Sequence, residues 1–102
     1  METQTAFKPF QLGRLLITVG AREKVPSPRA WECLALHQRG EWGNVCEDDA
    51  EENNLATQQG FRILSAYAID PNKPAQGYGE NCLWIITEAD RQVTTILMPD
   101  EY

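Results

Sequence analysis

The stretch Asn81–Pro99, NCLWIITEADRQVTTILMP, constrains the fold more than any other part of the chain. Cys82 to Thr87 is crowded with aromatic and β-branched residues, the side chains that fit a pleated surface. An apolar run alone does not distinguish a strand from a buried helix. Six residues bounded by polar clusters have the length of a strand. Glu88-Ala89-Asp90-Arg91 reads as a tight connection, with Asp able to start a turn through its own side chain. Val93 to Met98 is a second β-branched run, and Pro99 stops it by removing a backbone donor. Two strands so closely linked pair as an antiparallel hairpin. Leu83, Ile85 and Thr87 share one face of the first strand, and Cys82, Trp84, Ile86 and Glu88 the other. Both faces carry large apolar groups, so this strand belongs at the centre of a sheet, with cover on at least part of each face.

The 102 residues suit one domain with a modest core. Before the hairpin, Phe61 to Ile69 reads as a strand, with Ile63, Ser65, Tyr67 and Ile69 on one face. Residues 71–81, within the Pro- and Gly-rich run DPNKPAQGYGEN, form a long, mobile hairpin loop. Leu12 to Val19 is an N-terminal strand closed by Gly20-Ala21, and Gly13 marks a bulge or a close approach. Arg22 to Val25 reads as a charged linker, and residues 1–9 as a loosely held arm that Phe7 and Phe10 can dock. Ser27-Pro28 signals a helix start, with Ser as cap and Pro at the first helical position. In that helix Trp31 and Leu34 are expected to face the sheet, and Gly40 lies just past its end. Asp48 or Asp49 caps a second helix running to Gln59, ended by Gly60, with its acidic residues where the helix dipole favours them. The expected domain is α+β, in the order β-α-α-β-β-β. A four-stranded, mostly antiparallel sheet carries two helices packed on one face.

Charge bounds the function. The formal charge is −6 and the sequence pI about 4.6, which counts against phosphate-backbone binding. Five of the fifteen acidic residues are Glu47, Asp48, Asp49, Glu51 and Glu52, a local run that reads as a solvated helix start or, alternatively, as a surface for a basic protein partner. Trp42, in the loop before that run, reads either as a plug at the edge of the core or as a binding platform beside the acidic residues. Cys33, Cys46 and Cys82 are an odd set without metal or redox spacing. Together with the absence of a leader pattern or a spanning apolar run, they point to a cytoplasmic protein. One histidine, His37, and those cysteines supply no zinc set, and no cofactor motif is present.

Several segments together resemble a family of small bacterial proteins carried on plasmids, integrons and other mobile elements. They are FQLGRLLITVGA at 10–21, GEWGNV at 40–45 with His37 before it, Asn53 or Asn54, GFRILSAYAI at 60–69, and LWIITEADRQVTTILMPDEY at 83–102. The insert at 71–81 is longer than the family's usual hairpin loop. The resemblance implies an accessory cytoplasmic protein and lends no catalytic residue.

Three functional classes follow. The first is a non-enzymatic accessory or interaction protein, of which an acidic inhibitor of a nucleic-acid-handling protein is one form. The second is a small ribonuclease toxin of the RelE or barnase kind. Its candidate residues are His37, Arg62 and Tyr67, where a base and an acid would flank a phosphate held by arginine. The bland readings are a His paired with a helix C-terminus, an Arg62 ion pair with Glu88 or Asp90, and a half-buried strand tyrosine. The third is a homodimer, because Trp31, Trp42 and Trp84 are more tryptophan than so small a core readily hides.

Overall fold

A computed structural model describes residues 9–102 of the chain. The arm expected over 1–9, Phe7 included, lies outside the described residues except for Pro9. The element order is β1 (Arg14–Ile17), α1 (Val19–Lys24), α2 (Ser27–Gln38), α3 (Glu47–Gln59), β2 (Ile63–Tyr67), β3 (Leu83–Thr87) and β4 (Val93–Leu97), with a final 3₁₀ turn at Pro99–Glu101. The four strands form one sheet in the order β1-β4-β3-β2. β2, β3 and β4 are antiparallel neighbours, while β1 runs parallel to β4, so the sheet is mixed. The domain is α+β in the expected order.

The hairpin is the centre of the sheet, as its two apolar faces require. Leu83, Ile85 and Thr87 point into the helical layer and are fully buried. On the other face Ile86 is also buried, and Trp84 packs edge-on against Tyr102, ring centroids 5.5 Å apart. The Glu88–Arg91 turn closes through Arg91 N–H to Glu88 O at 2.9 Å, and the Asp90 carboxylate accepts from Gln92 N–H. Arg91 holds a left-handed φ of 60°. Its guanidinium donates to the carbonyls of Phe61 and Ala56, which fastens the turn to the C-terminal end of α3.

The helical layer has three members rather than two. β1 stops at Ile17 because the Thr18 hydroxyl accepts from Ala21 N–H and starts a helix. Residues read as strand end and linker therefore form α1, which buries Ala21, and Val25 is buried at its C-cap. Gly13 makes the anticipated close approach: at φ +69°, a Cβ there would lie 2.3 Å from Gln92 O. In α2 the cap is Pro26 and the helix begins at Ser27. Its buried face is Ala30, Cys33, Leu34 and His37, the i, i+3, i+4, i+7 pattern. That phase leaves Trp31 64% exposed, which corrects its expected place against the sheet.

Two apolar clusters fill the space under the helices. The larger gathers Ala21, Cys33, Leu34, Tyr67, Leu83, Ile85 and Ile96, and the smaller Trp42, Ala56 and Ile63 with Phe10 against them. The loop after β2 is braced at its base. Asn81 accepts from Asp70 N–H and donates to the carbonyls of Asp70, Lys73 and Pro74, and Trp84 Nε1 donates to Gly77 O.

Candidate functional site

His37 sits at the seam between the two clusters with no exposed surface. Its Nδ1 lies 2.5 Å from Ser65 Oγ and its Nε2 2.8 Å from Thr87 Oγ1. Thr87 Oγ1 lies 2.7 Å from Thr94 Oγ1, which donates to Leu12 O at 2.6 Å. The direction of every proton in this chain follows from its end. A carbonyl only accepts, so Thr94 spends its proton on Leu12 O. Thr87 must then donate to Thr94, and His37 Nε2–H must donate to Thr87. Burial lowers the imidazole's pKa to about 3, so the ring is neutral with its one proton on Nε2, and Nδ1 accepts from the Ser65 hydroxyl. Phe10 and Trp42 pack edge-on against the ring, with centroids 5.3 Å and 5.9 Å away.

The three candidate catalytic residues are not brought together. Tyr67 is buried, donates its hydroxyl to Glu41 O, and has its pKa raised by desolvation. Arg62 projects to the other side of the sheet. There it bonds the Tyr102 hydroxyl at 2.6 Å and lies over that ring, rather than pairing with Glu88 or Asp90. A phosphate held by Arg62 would have no access to the His37 imidazole, and His37, Ser65, Thr87 and Thr94 are all fully buried. The chain of hydroxyls is an internal polar seam that binds α2 to three strands.

Trp42 is a core plug. It is 5% exposed, stacks on Phe10 at 6.1 Å, and donates Nε1–H to Asn54 Oδ1. This corrects its place in an interaction surface: the platform has to be drawn without it. Glu47, Asp48, Asp49, Glu51 and Glu52 are all exposed on α3. The ion pairs found among the described residues, Arg29–Glu32 and Arg39–Glu41, involve none of these five. Among the described residues no group of three or more His, Cys, Asp or Glu is placed to hold a metal ion. No helix there is long and apolar enough to cross a membrane.

The two edges of the sheet differ. The outer edge of β2 is closed. Leu64 donates to Asn53 Oδ1 and accepts from Asn53 Nδ2, so one side-chain amide takes the place of a strand. Ala66 donates to Trp42 O and accepts from Asn44 N–H, through a parallel bridge between Gly43 and Ala66. A Cβ on Gly43, at φ +77°, would lie 2.0 Å from Ala66 O, so only glycine permits that approach.

Among the described residues, the outer edge of β1 is apolar and has no neighbouring strand. Leu15, Leu16 and Ile17 are 40%, 46% and 42% exposed, followed by Val19 at 73%. Trp31 stands beside them on α2. Between strand and helix runs a groove of about 200 Å³, lined by Leu15, Ile17, Ala30, Trp31, Leu34 and Ile96. The sequence held this signal in the run Leu-Leu-Ile-Thr-Val, but run composition does not say which strand lies at an edge. Comparison with protein-family models, curated proteins and solved structures returns no match to this chain.

Proposed function

We propose that this chain is a non-catalytic interaction protein whose docking surface is the outer edge of β1 together with Trp31. One observation carries the reading. Leu15, Leu16, Ile17 and Trp31 line one groove and are large, apolar and exposed, and Val19 follows the strand at 73% exposure. Contiguous apolar surface of this kind marks protein contact sites, and an apolar strand edge is a template for further pairing. An accessory role in the cytoplasm accords with the resemblance to proteins of mobile elements and with three free cysteines.

Photocrosslinking in cells tests this directly. Benzoylphenylalanine in place of Trp31 is expected to give protein adducts, and the same group in place of the exposed Ala89 of the hairpin turn is not. Absence of adducts at Trp31, or equal yields at both sites, would contradict the reading. Purified protein is expected to leave RNA intact; cleavage that Arg62→Ala removes would restore the ribonuclease class.

A second reading rests on the five exposed carboxylates of α3. They offer a basic partner a surface that is separate from the β1 edge. Neutralising Glu47, Asp48, Asp49, Glu51 and Glu52 to amides should then remove specific bands from a lysate pull-down. Identical bands with both proteins would rule that surface out.

A further inference from the structure

We infer that the occupant of the β1 edge is a second copy of this chain, paired antiparallel about a two-fold axis at Leu16. The inference rests on the docking surface proposed above and adds its partner and register.

The phase of the edge is fixed by β1's bonds to β4. Arg14 N–H donates to Gln92 O and Thr18 N–H to Ile96 O, so residues 14, 16 and 18 direct their backbone groups inward. Leu15 and Ile17 therefore direct theirs outward. In an antiparallel ladder, residues that exchange both backbone bonds face one another. With the axis at Leu16, Leu15 of one copy meets Ile17 of the other, and all the outward groups of both strands are satisfied. The same register places Arg14 opposite Thr18 of the second copy. Thr18 holds the Glu101 carboxylate at 2.6 Å, so a cation meets a fixed anion at both ends of the pairing.

The faces agree with this register. Leu15 and Ile17 share the helical side with Trp31, so the second strand brings its own Ile17 and Leu15 beside the first copy's groove. Arg14, Leu16 and Thr18 share the opposite side. The contrast with β2 points the same way. The chain closes that edge with Asn53 and the 42–44 segment, while the β1 edge carries no lysine, proline or bulge among Arg14–Ile17 to discourage pairing. A four-residue strand and one tryptophan make a small interface, so the dimer should be weak, with a Kd of about 10–100 μM.

Sedimentation velocity over about 5–500 μM tests this. Wild type is expected to move from the 11.5 kDa monomer toward twice that mass as concentration rises. Leu16 faces its own copy at a Cα separation of about 4.5 Å, so like charges there repel. Leu16→Lys alone and Leu16→Glu alone should both remain monomeric, and their equimolar mixture should form a heterodimer. The mixture guards against a folding defect, because misfolded variants would not rescue one another. A monomer at every wild-type concentration, or a mixture no more associated than its components, would overturn the second copy. Trp31 adducts to other proteins in the crosslinking experiment would leave the docking surface standing in that case.

Discussion

His37 and Ser65 are joined inside the core, Nδ1 to Oγ at 2.5 Å, tying α2 to β2 at a point with no exposed surface. With Ser65 donating there and Thr87 accepting at Nε2, the seam satisfies a neutral ring, and burial disfavours the charged one. A second proton on His37 would set N–H against the Ser65 hydroxyl, whose hydrogen would have to turn elsewhere.

This gives stability a pH dependence. Burial lowers the folded pKa of His37 from 6.5 to about 3, so between those values the unfolded chain binds the extra proton. Stability from this source is complete above the unfolded pKa and falls as pH drops toward the folded one. Urea denaturation is expected to show a loss of about 2 kcal/mol from about pH 7 to about pH 5 beyond that of His37→Gln. Parallel pH profiles for the two proteins would contradict the neutral, buried assignment.

The closed β2 edge depends on Gly43. Its positive φ and the 2.0 Å approach of a Cβ to Ala66 O make Gly43→Ala a backbone conflict. The expected cost is about 2–4 kcal/mol in denaturant titration. A change within about 0.5 kcal/mol would mean that the 42–44 segment does not guard β2 as described.

The cysteines should divide sharply in a thiol-labelling assay. Cys33 and Cys82 are buried, and desolvation pushes both thiols up to about 11, while Cys46 is exposed. In native protein Cys46 is expected to react promptly, and the others only at the rate of unfolding. Prompt reaction of Cys33 would contradict the packing of α2 on the sheet, and replacing Cys46 by Ser should abolish the fast phase.

Much of the sheet was legible from residue order. Apolar runs separated by a Pro- and Gly-rich loop and a short polar turn located β2, β3 and β4, and two apolar faces placed β3 centrally. Other features depended on tertiary partners that spacing does not reveal. The residues of α1 resemble a strand end and a linker because only Ala21 marks its buried side, and the signal that starts it is a single hydroxyl, Thr18. Residue type favours Trp31 over His37 for the buried side of α2, and only Leu34 of the expected pair faces inward. Yet His37 is inside, where Ser65 and Thr87 satisfy it, and Trp31 is outside. The seam itself draws on α2, β2, β3 and β4, so no local window contains it. Asn53 appeared as one polar residue in a polar helix, and its pairing with the Leu64 backbone needed the approach of α3 to the sheet edge.

Amide exchange at Leu15 and Ile17 tests the docking edge most directly. Their N–H groups point away from β4, whereas Thr18 N–H is bonded to Ile96 O. In dilute protein the Leu15 and Ile17 amides are expected to exchange rapidly, and Thr18 more slowly. At about 500 μM both should gain protection of about three- to tenfold, while the Ala89 and Asp90 amides of the hairpin turn stay unchanged. Leu15 and Ile17 amides that remain unprotected at every concentration would contradict pairing of this edge with a second copy.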